Sequence, residues 1–221
     1  MSDKTVIELS NVYLKTDRGN DLFLDLNFSL KSGESAIIYG AAGSGKSVLV
    51  ELLIGRRFVD SGAVEVFGKN VKKRKKRIIR SIRKKVGGVG GIFSLVPTFT
   101  VAENITYPLV LAGESKKVIK DRLMKMLTEF SLLKQASEYP DKLTRVEKML
   151  VQFARANVAH QPLIIIDEPL AGLDHKTYDR IYEYMGKLAL SGLSLFIVSS
   201  LELKSDLPKT RSFQLVNGVL V

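Results

Sequence analysis

Eight residues constrain the architecture of this chain more than any others: Gly40, Ala41, Ala42, Gly43, Ser44, Gly45, Lys46 and Ser47. They lie between the apolar run SAIIY and the helix-patterned run VLVELLIG. In such a setting G-x-x-x-x-G-K-[ST] has a specific physical use. Glycines let successive backbone N–H groups close around an anion, and the N-terminus of the following helix adds partial positive charge. Lys46 is placed to reach β- and γ-phosphates, and the Ser47 hydroxyl to ligate Mg²⁺. The bland alternative is an ordinary glycine-rich strand-to-helix turn.

A second feature complements the first. PLIIIDEP holds four apolar residues in a row and then two carboxylates, Asp167 and Glu168. Such a run fits a buried parallel strand, and open α/β sheets bind ligands at the carboxyl ends of their strands. Asp167 is expected to hold Mg²⁺ and Glu168 to act as general base for an attacking water. Alone, the pair could equally end a strand and cap a turn.

Around these motifs the hydrophobic periodicity changes along the chain. The segments 6–9 and 22–30 alternate apolar and polar residues, the second as Leu22, Leu24, Leu26, Phe28 and Leu30, which predicts half-buried antiparallel strands. GAVEVFGKN predicts a further edge strand and turn. The glycine-rich stretch VGGVGGIFSLVPTFT predicts a loop or a thin strand. Helical patterning dominates 101–137, with Pro108 as an expected break, and 145–160; LSLFIVSS is another apolar strand, and SFQLVNGVLV a hairpin about Asn217-Gly218. The expected fold class is α/β, with an N-terminal antiparallel β subdomain and a helical insertion at about 96–160 within a single domain of residues 1–221.

Composition excludes several functions. With no cysteine among 221 residues, disulfides, thiol catalysis and cysteine-bound metal are ruled out. No signal peptide is expected from MSDKTVIELS, and no apolar run approaches the ~18 residues that a membrane span needs. Net charge is +11, yet KKRKKRIIRSIRKK (72–85) holds ten basic residues and no acid; without it the balance is 24 basic against 23 acidic. Ile78, Ile79 and Ile82 would share one face of a short amphipathic helix there. Anionic lipid head groups, an acidic partner surface or plain solvation all fit that run. Nucleic acid is not expected, because no aromatics interleave for base stacking.

GAAGSGKS, then LIIIDEP about 120 residues later, then LAGLD at 170–174, resembles the ATP-binding subunit of ABC transporters in order and spacing. The resemblance covers nearly the whole chain. It implies a P-loop NTPase core of the ABC ATPase type, with ATP and Mg²⁺ as cofactors. It also implies a homo- or heterodimer that sandwiches nucleotide, with Asp174 at the dimer contact, and separate transmembrane permease subunits. Location would be cytoplasmic, peripheral on the inner face of the cell membrane, with no room for an added regulatory domain. TVAENITYPL looks most like lipid-handling, lipoprotein-handling or cell-division subfamilies.

Four positions depart from the family pattern. The signature L-S-G-G-Q falls on Leu143-Thr144-Arg145-Val146-Glu147, so Arg145 and Val146 replace two glycines. The glutamine that senses Mg²⁺ and the membrane partner falls on Gly91. The histidine after the last core strand becomes Ser200, and neither His160 nor His175 fits that place. The aromatic that stacks on adenine falls near Thr16, with Tyr13 close by. The site therefore keeps its phosphate and Mg²⁺ groups and its base but has a degenerate transition-state apparatus. A coupling ATPase and a non-hydrolysing module paired with an active subunit both remain open. A soluble ABC protein of translation or repair would usually need a second cassette or a long insertion.

Overall fold

A computed structural model of the chain describes residues 4–73, 75–168, 173–203 and 206–221. Two sheets sandwich the first helix. The antiparallel sheet comprises β1 (Thr5–Lys15), β2 (Asp21–Lys31), β4 (Ser61–Val66) and the two-residue β5 (Lys69–Asn70), in the order β2-β1-β4-β5. The second contains β3 (Ser35–Tyr39), β6 (Val86–Gly90), β7 (Leu163–Asp167), β8 (Ser194–Ser199), β9 (Thr210–Val216) and β10 (Val219–Leu220), in the order β10-β9-β3-β8-β7-β6. Five of these six are parallel to their neighbours, and only β10 turns back.

The parallel strands are apolar throughout because both of their faces are covered. Ala36, Ile38, Leu163, Ile165, Phe196 and Val198 face the antiparallel sheet and α1 (Lys46–Leu53). Ile37, Ile164, Ile166, Leu195 and Ile197 face the other core. That core is completed by α3 (Val101–Ala112), α4 (Lys116–Glu129), α5 (Arg145–Asn157) and α6 (His175–Leu190).

Several expectations hold and several are corrected. The hairpin closes at Asn217 and Gly218 with φ of 47° and 81°, the left-handed pair that a two-residue turn requires. Strict alternation along β2 fails at Asp25, whose φ is 53°. The pairing with β1 shifts there, so Phe23 is buried and Leu24 faces out. β4 is an interior strand, flanked by β1 and β5, rather than an edge. Pro108 does not break α3, which runs from a Thr100–Glu103 capping box to Gly113 at φ 77°. The glycine-rich stretch forms β6, an edge strand.

The basic run forms α2 (Lys76–Arg83), and Ile79 and Ile82 are buried while Ile78 is half-buried. A side chain at Gly55 would place its Cβ 3.0 Å from Ile79, so the helix sits directly on that turn. Arg83 donates from Nε to the Ile54 carbonyl at 2.8 Å and from Nη2 to the Gly55 carbonyl at 3.1 Å. The apolar face of α2 is thus spent on the protein's own core, and its cationic face looks outward.

Candidate functional site

The phosphate-type loop joins β3 to α1 as the sequence implies. At Gly45 φ is 103°, and a Cβ there would lie 2.9 Å from the Phe23 ring, so only glycine fits between the turn and the packed β2. No side chain caps α1, which leaves its first-turn N–H groups to whatever lies in front of the loop. Ala41, Ala42 and Gly43 are exposed at the loop's crest, and Ser44 is half-buried beneath it. Lys46 is buried, its Nζ donating to the carbonyls of Gly40 at 2.7 Å and Ala41 at 2.9 Å. Ser47, one position into α1, is exposed. A cavity of about 440 Å³ opens in front of these residues and includes Lys46, Ser47 and Glu168 in its wall.

Asp167 ends β7 between β6 and β8 and is 4% exposed. Its Oδ1 is buried with no hydrogen-bond partner among the described residues. Burial pushes its pKa above the ordinary aspartate value, the neighbouring Glu168 pushes it further, and Lys46 opposes both. Such an orphan acceptor is what a divalent cation satisfies. Among the described residues no three His, Cys, Asp or Glu side chains cluster as a metal cage. That suits Mg²⁺, which takes one or two protein ligands and completes its shell with water and phosphate. Ser47 and Asp167 are the residues that would hold such a cation.

Glu168 follows with φ of 53°, unusual for a residue with a side chain. Its N–H donates to the Val198 carbonyl at 2.9 Å. One carboxylate oxygen accepts from both the N–H and the hydroxyl of Ser200, each at 2.9 Å, and the other lies 3.9 Å from Lys46 Nζ. Position 200 therefore holds the carboxylate directly, a contact that no sequence signal announced.

Gly91 is sterically required as glycine in this arrangement. Its φ is 21°, and a Cβ there would stand 2.1 Å from Asp167 Oδ2. The loop after β6 is held from α5 instead. Gln152 accepts from the Gly90 N–H at 2.8 Å and donates to the Phe93 carbonyl at 3.3 Å. Arg155 donates to the carbonyls of Phe93 and, at 3.0 Å, Ser94, and desolvation lowers its pKa to about 10. Sequence reasoning missed Gln152, which sits in ordinary helical pattern.

The segment LTRVE starts α5. Thr144 is its N-cap, bonded to Glu147 in a reciprocal capping box, so both side chains are engaged in starting the helix. The Glu147 pKa is lowered by the Thr144 backbone and side-chain hydrogen bonds. Val146 packs partly against the core. Arg145 and Lys148 border a second cavity, of about 410 Å³, that Asp167 and Glu168 of the same chain also line. Of LAGLD, residues 170–172 lie outside the described residues. Asp174 caps α6, accepting from the Thr177 N–H at 3.0 Å, and its pKa is lowered by the Thr177 side-chain and backbone bonds. Thr16 lines the first cavity; Tyr13, 42% exposed on β1, does not.

The family model described as ABC transporter matches residues 23–171. The cell division ATP-binding protein FtsE of Streptococcus pneumoniae (strain D39) is 31% identical over 195 residues, spanning 88% of this chain and 85% of that protein. FtsE of Bacillus subtilis (strain 168) is 26% identical over 216 residues, 98% of this chain and 95% of that one. Among solved structures, the ATP-binding cassette MJ0796, dimeric in a post-hydrolysis state bound to ADP and Pi, superposes with a TM-score of 0.83 at 26% identity, covering 97% of this chain and 96% of that one. The fold is also that of CbiO1 from Clostridium perfringens, part of the ABC transporter complex cbiONQ, with a TM-score of 0.82 at 20% identity over 99% and 87% of the chains. The chain belongs to the ABC transporter family, as an ATP-binding cassette component.

Proposed function

We propose that this chain binds Mg·ATP at Gly40–Ser47 and uses binding, with slow hydrolysis, to drive conformational change in separate transmembrane subunits. The observation that carries the reading is the buried, unpartnered Oδ1 of Asp167 beside Lys46 and Glu168, at the mouth of a glycine loop with an uncapped helix behind it. Lys46 exchanges its two carbonyl partners for phosphate oxygens, and Asp167 and Ser47 hold Mg²⁺. When bound there, the cation would supply charge neutralisation to the phosphates. Glu168, anchored by Ser200, accepts the proton of the attacking water.

Two cassettes sandwich the nucleotide, either two copies of this chain or this chain and a second ATP-binding subunit. The dimeric state of MJ0796 and the place of CbiO1 in a transporter complex support that assembly. Among the described residues no helix is long and apolar enough to cross a membrane. In this reading separate permease subunits supply the span, with the cassette on its cytoplasmic side.

A second reading, a non-hydrolysing module paired with an active subunit, is favoured by one observation. The signature place is occupied by Arg145 and by Val146, which packs into the core. Calorimetric titration with Mg·AMP-PNP tests the common premise. Wild type is expected to bind, and Lys46→Ala to bind at least tenfold more weakly, since a charge-assisted contact contributes roughly 1.5–3 kcal/mol. Equal affinities would refute the assignment.

A further inference from the structure

The cavity in front of the phosphate-type loop has a second group of lining residues that the phosphate chemistry does not use: Thr16, Asp17 and Arg57. Arg57 lies four residues beyond the end of α1, whose eight residues span about 12 Å. Arg57 therefore follows the far end of α1 from Lys46, and both residues line the one cavity.

Three features place Arg57 beside this cavity. The backbone N–H groups of Arg56 and Arg57 both donate to the Glu51 carbonyl, at 2.8 and 3.3 Å. Arg57 Nη2 pairs with Asp17 Oδ1 at 2.9 Å. Asp17 itself sits in a closed turn, with Thr16 N–H on the Asn20 carbonyl at 2.8 Å and Gly19 N–H on the Thr16 carbonyl at 2.9 Å. The Arg57 side chain is 27% exposed although its Asp17 partner is 95% exposed, so the cation is the sheltered member of the pair. Among the described residues that line this cavity none is aromatic; Phe23 is packed beneath Gly45 at 1% exposure.

We propose that Arg57, paired with Asp17, is the platform on which the base of a bound nucleoside triphosphate rests. A guanidinium is flat, delocalised and weakly hydrated, and it stacks on a π-face where an ammonium of equal charge does not. The inference depends on the phosphate-site reading above and adds to it the group that recognises the base.

Calorimetry with two ligands, Mg·AMP-PNP and base-less Mg·tripolyphosphate, tests it on wild type, Arg57→Ala and Arg57→Lys. Both variants are expected to bind Mg·AMP-PNP about 3- to 30-fold more weakly, the range of a partly desolvated cation–π contact. Tripolyphosphate affinity should stay within about twofold, which also shows that the variant sites are folded. The platform is overturned if Arg57→Lys binds the nucleotide like wild type, or if both ligands weaken in parallel, for then Arg57 acts only as a charge. It is overturned too if Arg57→Ala changes nothing. A wild-type protein that binds neither ligand sinks the phosphate site itself, and the platform with it; one that binds both while Arg57→Ala has no effect sinks the platform alone.

Discussion

Ser200 donates two hydrogen bonds, from its N–H and its hydroxyl, to a single oxygen of Glu168, both 2.9 Å long. The two residues follow adjacent parallel strands, β8 and β7, so the contact ties the carboxyl ends of the sheet together across the cavity mouth. It fixes one carboxylate oxygen and leaves the other toward Lys46. Ser200→Ala removes one hydrogen bond to a charged group. It is expected to lower single-turnover hydrolysis about tenfold while leaving Mg·AMP-PNP affinity unchanged. A variant with wild-type turnover would show that Glu168 is positioned by something else.

Gly91→Gln, which introduces the glutamine that the family resemblance implies here, should harm this protein. The new Cβ would stand 2.1 Å from Asp167 Oδ2 at a φ of 21°, and relief requires Asp167 or the loop after β6 to move. That loop is clamped by Gln152 and Arg155. Overpacking of this kind costs about 1–3 kcal/mol. Urea denaturation should therefore show a lowered midpoint, and turnover should not rise. A variant of equal stability with faster Mg²⁺-dependent turnover would contradict the steric account.

Asp167 is a buried carboxyl whose ionisation costs the fold stability. Its folded pKa is raised by burial, then by Glu168. Folded protein therefore takes up this proton more readily than unfolded protein does. The penalty is absent below the unfolded aspartate value, sets in as pH rises through the folded value, and is fully present near neutrality. Asp167→Asn should raise the thermal midpoint of nucleotide-free protein at pH 7 by about 2–4 °C, a gain that shrinks toward pH 4, and should abolish Mg²⁺-dependent nucleotide binding. Scanning calorimetry at the two pH values decides it; an unstable Asn variant at pH 7 would mean that the carboxylate is satisfied.

The parts legible from sequence are those in which one local rule dominates. The loop at Gly40–Ser47 and the run ending in Asp167 combine backbone freedom, charge and apolar length in consecutive residues. The hairpin at Asn217-Gly218 was legible for the same reason. What escaped was set by contacts distant in the chain. Period two placed Leu24 inside, but a left-handed residue at Asp25 shifts the pairing with β1 and buries Phe23. Pro108 suggested a break, yet a strong capping box at one end and packing against α5 carry α3 through it. Gln152, Ser200 and Arg57 meet partners 62, 32 and 40 residues away, so no window of sequence contains both halves of any of these contacts.

The outward face of α2 predicts a membrane-surface interaction of a particular kind. Ile79 and Ile82 are committed to the core, so the helix cannot insert apolar side chains into a bilayer. Lys72, Lys73, Lys75, Lys76, Arg77, Arg80, Lys84 and Lys85 are exposed, and none forms an ion pair among the described residues. Each basic residue contributes at most about 1 kcal/mol near an anionic surface, and salt screens the attraction. Co-sedimentation with phosphatidylserine vesicles should be strong at low salt, lost at high salt, and lost when these residues become Gln. No binding by wild type at low salt would leave a merely solvated face.

The last prediction concerns turnover, and it turns on Arg145. At the place of the signature glycines, Thr144 and Glu147 are engaged in a capping box and Val146 packs against the core, so neither glycine's close backbone approach is available to a phosphate. Loss of one transition-state donor costs about 10²–10³ in rate. Applied to a median turnover of about 10 s⁻¹, a single loss leaves at most about 0.1 s⁻¹. Further losses at Gly91 and Ser200 need not multiply, because such groups act as a unit. Arg145 is the one residue able to reverse this expectation, since an arginine supplied across a dimer interface is worth about 10³–10⁵ elsewhere. In this chain Arg145 lines a cavity together with its own Asp167 and Glu168. Wild type and Arg145→Ala are therefore both expected to hydrolyse ATP at or below about 0.1 s⁻¹ in steady-state phosphate release, and a partner cassette with an intact signature should raise the rate. Fast wild type with slow Arg145→Ala would instead make LTRVE a working substitute for the glycines it replaces.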